Sequence, residues 1–200
     1  FGERNIVSAD RQVVLPGAGI NLEKYKMEPY PNHSRVHFLY LGRIMKEKGI
    51  EELFYAVRRL KEENEDFVLD LAGFFEDIYK KQVIAHFYGF QSDPRPFYAE
   101  ADCVVLPSYH EGMSNVLLEA AATGRPVITS NIPGCRESVE NGKSGLLVEV
   151  KNKEMLYQAM KKMLHCSREE REKMGKAGRE KMKREFRKEA VVERTVRSLE

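Results

Sequence analysis

Two hundred residues make one sizeable domain or two small ones, enough chain for a substantial core. Charged residues make up 32% of the chain but the formal net charge is only +2, so no overall basic field points to nucleic acid. Three widely spaced cysteines, Cys103, Cys135 and Cys166, fit no metal-binding spacing and suit a reducing compartment better than a disulfide framework. No apolar run reaches membrane-spanning length and no signal-peptide pattern is present. The chain opens on Phe1-Gly2-Glu3-Arg4 without Met, and it is expected to be a piece of a longer protein.

Gln12 to Pro16 reads as a short strand running into Gly17-Ala18-Gly19, expected to cross over from a preceding domain. From about residue 36 strand and helix patterns alternate. Val36 to Leu41 is a strand closed by Gly42, followed by an amphipathic helix over Ile50 to Glu63 with Leu53, Phe54, Val57 and Leu60 on one face. Phe67 to Ala72 is the second strand, closed by Gly73, and a helix is expected over about Asp77 to Ala85. A short strand over His86 to Tyr88 leads to Gly89, a helix covers Pro96 to Ala101, and Cys103 to Leu106 is a buried strand in which Cys103 is a small core residue. A Leu- and Ala-rich helix begins after Ser114 and ends at Gly124, a left-handed cap. Pro126 to Ser130 and Leu146 to Val150 are the last strands. That rhythm predicts an α/β fold with a doubly wound parallel sheet and helices on both faces. Residues 154–200 instead read as two or three charged helices with Met155, Leu156, Met160, Met163 and Leu164 on an apolar face. Their modestly basic stretch, Arg168 to Glu189, is read first as a solvated face. The sharper alternative is peripheral contact with an anionic membrane surface or another domain.

Two glycine motifs are decoys. Gly17-Ala18-Gly19-Ile20-Asn21-Leu22 lacks the third glycine of a dinucleotide fingerprint. Asn141-Gly142-Lys143-Ser144 resembles the end of a phosphate-binding loop, but Glu137 stands where its first glycine belongs, so it reads as a turn. The chemistry gathers at strand exits instead. Gly42-Arg43-Ile44-Met45-Lys46-Glu47-Lys48-Gly49 brings two glycines, two candidate cations (Arg43 and Lys48) and a helix amino terminus to one sheet mouth, an arrangement that suits a diphosphate. A solvated basic turn is the bland reading of the same residues. Glu111 sits on the loop after Cys103–Leu106, and Glu119 on the helix that follows, at the edge where open α/β sheets bind ligands. A carboxylate in so apolar a helix is costly unless something polar meets it. Dipole stabilisation of Glu111 and pairing of Glu119 with an arginine are the bland alternatives. Gly112-Met113-Ser114-Asn115 offers free N–H groups at a second helix terminus, unless Ser114 merely caps it.

Glu111-Gly-Met-Ser-Asn-Val-Leu-Leu-Glu119 followed by Ala-Ala-Ala-Thr-Gly-Arg-Pro-Val-Ile, with Arg43 and Lys48, closely resembles the carboxy-terminal half of family 4 retaining glycosyltransferases. Leu15-Pro16-Gly17-Ala18-Gly19, Leu71-Ala72-Gly73, Tyr88-Gly89-Phe90, Ala101 to Ser108 and Asn141 to Val148 support the resemblance along most of the chain. It implies a Rossmann-like half of a two-domain GT-B fold. Residues 1–200 would be the nucleotide-sugar domain, 1–22 a crossover from a missing acceptor-binding amino-terminal domain, and about 186–200 a terminal crossover helix whose docking face is partly exposed. Carried over, Arg43 and Lys48 would grip the donor diphosphate, Glu119 the ribose hydroxyls, and Glu111 the donor sugar, with Gly112, Met113, Ser114 and Asn115 beside it. Gly89, Phe90 and Gln91 would lie near the base, and Gly17 and Gly19 in the crossover near the phosphates.

The resemblance further implies transfer from a nucleoside-diphosphate sugar, UDP being the expected nucleotide, to a glycan or lipid-linked acceptor with retention of configuration. No metal or other cofactor is expected, and the chain has no Asp-x-Asp pair suited to a metal. A cytoplasmic setting is implied, extending to the inner face of the membrane, and this piece alone is expected to be inactive. Two other readings stay open: a non-catalytic nucleotide-sugar-binding module, and a sugar-nucleotide epimerase or phosphorylase on a similar scaffold.

Overall fold

Six parallel strands are present among the residues that the computed structural model describes, which are 17–74, 79 and 85–198. The expected strand over Gln12–Pro16 and, apart from Tyr79 and Ala85, the expected helix over Asp77–Ala85 lie outside the described residues. Strands β1 (Val36–Leu41), β2 (Phe67–Ala72), β3 (His86–Phe87), β4 (Cys103–Leu106), β5 (Val127–Ser130) and β6 (Gly145–Val148) lie in the order β3-β2-β1-β4-β5-β6. β1 pairs with β2 along its whole length, Val36 opposite Phe67, and with β4 at Phe38–Cys103 and Leu39–Val104. Near-continuous apolar runs such as Cys103-Val104-Val105-Leu106, buried throughout, are what a strand covered on both faces requires.

Helix α1 (Ile50–Glu62) buries the predicted stripe Leu53, Phe54, Val57 and Leu60 together with Ile50 and Ala56. The short α2 (Arg95–Glu100) precedes β4, and α3 (Asn115–Ala122) buries Leu117, Leu118 and Ala120 to Ala122. The β1-α1-β2 step runs one way across the sheet and β4-α3-β5 runs the other, so right-handed crossovers put α1 and α3 on opposite faces. Helix α4 (Lys153–His165) packs on α1, where Lys161 Nζ meets Glu63 Oε2 at 2.6 Å; α5 (Arg168–Lys181) packs on α3. Leu156, Met160 and Met163 form the buried stripe of α4. Met155, expected among them, is 39% exposed because it lies a full 100° step off that i, i+4, i+7 line. The last strand ends at Val148 rather than Val150, where the chain turns through Glu149 into α4.

A π-helical turn (Met182–Phe186) and α6 (Lys188–Arg197) follow α5. Several basic residues of α5 and the π-helical turn are met by close acidic neighbours: Lys176 by Glu172 (2.7 Å), Lys183 by Glu180 (2.6 Å) and Arg184 by Glu140 (2.7 Å). The solvated-face reading of Arg168 to Glu189 fits this stretch only in part, since Arg171, Arg179 and Lys181 are buried. Ile20 N donates to Phe186 O (2.7 Å) and Lys188 N to Ile20 O (3.1 Å), so the entering and leaving segments meet.

Between them and β1 runs an irregular strap, residues 20–34, fastened by arginines. Arg179 donates to Tyr25 O (2.6 Å) and Leu22 O, Arg125 to Pro29 O (2.7 Å) and Glu28 O, and Arg168 to Tyr30 O (2.8 Å) and Pro31 O (2.9 Å). Arg125 is fully buried, which is tolerable because its guanidinium also reaches Tyr98 O (2.8 Å) and Ala99 O (3.0 Å).

Candidate functional site

The strand order reverses direction between β1 and β4, so the loops leaving those two strands diverge and open a crevice at the carboxyl edge. Two close backbone approaches shape it. Gly49 has φ +72° and sits against Pro107, whose carbonyl oxygen a Cβ would meet at 2.1 Å; Tyr109 N donates to Glu47 O at 2.9 Å alongside. Gly134, with φ +85°, brings the loop after β5 onto the same place, since a Cβ there would lie 1.9 Å from Gly112 O. No side chain fits either position.

Lys48 and Glu111 thereby face each other across the crevice. Lys48 Nζ donates to Glu111 Oε1 at 2.7 Å, and Ser108 Oγ donates to the same oxygen at 2.8 Å. The two charged side chains keep 17% and 15% of their exposure, so the pair is shielded but reachable. Next to it α3 begins. Ser114 is buried and its side chain caps nothing; its N–H is taken by Gly134 O at 2.9 Å. The reading in which Ser114 merely caps the helix is therefore not what the structure shows, and the first turn of α3 keeps side-chain-free N–H donors with the positive end of its dipole.

Arg43 sits on the other side of the β1 exit. Its carbonyl accepts Tyr40 OH at 2.6 Å, and its exposed side chain lines a cavity of about 200 Å³ with Gly42, Gly73, Phe74, Phe90 and Gln91. Gly42 N donates to Ala72 O (2.9 Å), Ile44 N to Phe74 O (2.7 Å) and Gly73 N to Gly89 O (2.7 Å), which stitches the exits of β1, β2 and β3 together. Phe74 and Phe90 stack at 4.7 Å. The Gly89-Phe90-Gln91 loop is thus brought beside Arg43. Gly17 lies against Met113 of the Glu111 loop, whereas Gly19 packs on the Phe186–Lys188 turn.

Glu119 is met by a phenol and not by an arginine. Tyr98 OH donates to Glu119 Oε2 at 2.9 Å, and burial, followed by the charge of Glu119, pushes that phenol well up. Burial likewise pushes the Cys135 thiol up to about 11, so the cysteine behind Gly134 is a core thiol and not a nucleophile. Reading residues in order missed Ser108, Tyr98, Phe74 and Gly134. Of these only Gly134 had a local signal, the Pro133-Gly134 turn at a third strand exit.

The sequence profile of the glycosyl transferases group 1 family matches residues 23–181. The chain belongs to that family. Among curated relatives, the capsular polysaccharide biosynthesis glycosyltransferase CapM of Staphylococcus aureus is 28% identical over 193 residues, covering 88% of this chain and 50% of that protein. The lipopolysaccharide core biosynthesis glycosyltransferase LpsE of Rhizobium meliloti is 30% identical, covering 76% and 46%. The chain spans about half the length of the relatives it matches. Among solved structures, sucrose-phosphate synthase from Thermosynechococcus elongatus superposes with a TM-score of 0.82 at 26% identity, over 98% of this chain and 54% of that one. Anabaena HepE in complex with UDP superposes with a TM-score of 0.78 at 18% identity, over 90% and 55%. The fold of this group 1 chain is thus the Rossmann-like α/β fold found in GT-B glycosyltransferases, as its paired-glutamate block led one to expect.

Proposed function

We propose that this chain is the donor-binding half of a glycosyltransferase that moves a sugar from a nucleoside-diphosphate sugar to a glycan or lipid-linked acceptor with retention of configuration. The observation that carries the reading is the shielded Lys48–Glu111 pair at the strand-order reversal, beside the uncapped amino terminus of α3. The comparisons lend support: HepE has been crystallised with UDP and with UDP-glucose, which favours UDP as the nucleotide here.

The chemistry follows from charge. Cleavage of the glycosyl–phosphate bond leaves negative charge on the departing diphosphate and positive charge on the sugar ring. Arg43, Lys48 and the α3 dipole stabilise the first, at a preorganised edge where such contacts count most. Glu111 supports the second and orients the sugar's hydroxyls; it is not assigned as a covalent nucleophile. Glu119 accepts from the ribose, while the cavity walled by Phe74, Phe90 and Gln91 takes the base. Gly112, Met113, Ser114 and Asn115 supply backbone donors, and Gly17 closes over Met113 from the crossover. On this reading no metal or other cofactor is needed, so excess chelator leaves transfer intact. The acceptor belongs to the other half of the enzyme, and a lipid-linked one would bring it to the inner face of the membrane. Among the described residues no helix is long and apolar enough to cross one.

Calorimetric titration with UDP, GDP and ADP tests the reading, on this chain and on the full-length protein. One nucleotide should bind, about tenfold or more weakly to Arg43→Ala and to Glu119→Gln. Absence of binding by both wild-type forms would overturn the assignment.

A further inference from the structure

Two elements remote in sequence from α3 come together beside Glu119. Tyr98 comes from α2 and is fully buried, with its hydroxyl 2.9 Å from Glu119 Oε2. Tyr25 comes from the strap, is 6% exposed, and meets the Tyr98 ring edge-on at 6.3 Å. Burial, with the Glu119 carboxylate adding to it, pushes both phenols up, so Tyr98 meets the carboxylate as a protonated donor while the Tyr25 ring packs behind it. The Tyr98 hydroxyl also lies 3.4 Å from Val116 O, but the shorter, charge-assisted contact to Glu119 is the stronger of the two.

The strap cannot drift from this position. Arg179 donates to Tyr25 O at 2.6 Å and, with the same nitrogen, to Ala122 O at 2.7 Å, at the far end of the helix that carries Glu119. One guanidinium therefore ties the backbone of Tyr25 to α3 itself.

We infer that Tyr98, buttressed by Tyr25, is a positioning residue that holds the Glu119 carboxylate in the orientation in which it accepts from the ribose hydroxyls of the donor nucleotide. This rests on the donor-binding reading given above. A carboxylate offers about four acceptor positions, and a tyrosine donor on Oε2 fixes the rotamer while leaving most of them free. Neutral phenols suit this work better than a cation. A lysine or arginine would cancel the charge that the ribose hydroxyls are meant to meet. An unheld glutamate would have to lose its side-chain freedom at the moment of binding, which weakens affinity. Ribose preference is in this way set partly by residues that never touch the nucleotide.

The test is titration of the wild type, Tyr25→Phe, Tyr98→Phe and Glu119→Gln with UDP, GDP and ADP, each beside its 2′,3′-dideoxy analogue. The wild type is expected to bind the preferred ribonucleotide about tenfold more tightly than its dideoxy form. Tyr98→Phe should weaken the ribonucleotide about three- to tenfold and leave the dideoxy analogue unchanged, collapsing the ratio as Glu119→Gln does, while Tyr25→Phe moves it the same way by less. Equal weakening of both ligands, or an unchanged ratio beside a collapsed one in Glu119→Gln, overturns the inference and leaves the donor reading standing. A wild type that binds none of the nucleotides removes both. Thermal melts accompany each titration; should Tyr98→Phe fail to fold, Tyr25→Ala, which removes the ring packed on Tyr98, decides in its place.

Discussion

Glu111 and Glu119 lie on one loop and the helix it leads into, yet they are held in opposite ways. Glu111 is neutralised by Lys48 at 2.7 Å, with Ser108 on the same oxygen. Glu119 is met by the neutral hydroxyl of Tyr98. The difference shows what each carboxylate can offer a ligand. On the proposed function, an anion entering the crevice competes with Glu111 for its lysine, which would couple donor binding to release of Glu111. Among the described residues no cation pairs with Glu119, which leaves it ready to accept hydrogen bonds from neutral hydroxyls. One helix terminus thus presents a charge pair that opens on demand next to an acceptor that is fixed in advance.

The comparison breaks most readily at Lys48. Lys48→Ala removes the diphosphate contact and strands Glu111 without its partner. Transfer by the full-length protein should fall about a hundredfold to a thousandfold, the scale of losing one preorganised electrostatic contact; turnover measured under donor saturation checks it. Glu111→Gln separates the two functions. Turnover should drop about tenfold or more, while UDP affinity measured by calorimetry rises severalfold because Lys48 is released. If the variant binds UDP more weakly, the competition between diphosphate and Glu111 is refuted.

Gly134→Ala tests whether the Glu111 loop needs its neighbour from β5. The methyl group would meet Gly112 O at 1.9 Å in a left-handed conformation, so a stability loss of about 1–3 kcal/mol and weakened nucleotide binding are expected. Gly142→Ala, with a similar φ of +77° but open space around it, should cost about 1 kcal/mol and spare binding. Denaturant titrations of the two variants check the contrast.

The smallest effect lies away from both carboxylates. Burial first, and then His33 stacked on it at 4.1 Å, lowers the pKa of His37 below its usual 6.5 in spite of Asp70 and Asp102 nearby. The neutral imidazole is favoured in the fold, so this contribution to stability is fully present above 6.5 and declines as pH falls toward the lowered value. The denaturation midpoint should therefore drop from about pH 7 to about pH 5, and His37→Gln should flatten that slope. Nucleotide affinity in the same range should not follow it, because neither carboxylate contacts this histidine pair.

Strand starts at Val36, Phe67 and Cys103 and the stripe of α1 were legible because an apolar run or a 3.6-residue repeat is a local property. The places of Arg43, Lys48 and Glu111 were legible for a related reason: each stands past a strand end or just before a helix, at the edge where an open sheet gathers ligands, while Glu119 stood out as a carboxylate midway along an apolar helix. Met155 shows the limit of that reasoning. Its hydropathy matches that of its neighbours on α4, but it stands a 100° step off the Leu156-Met160-Met163 line, so hydropathy read without angular position misplaces it. Gly134 was passed over because a turn signal does not say which loop the turn will touch.

The order of residues by itself determined the α/β rhythm, the parallel sheet and the edge at which its chemistry gathers, since all three follow from periodicity and from the position of charges relative to strand ends. Tertiary structure alone decided the partners. Lys48 and Glu111 lie 63 residues apart, and Tyr98 reaches Glu119 from another helix. Such contacts form only after the sheet has brought separate strand exits together, and a hydrogen bond formed across that distance leaves no local pattern in the chain to read.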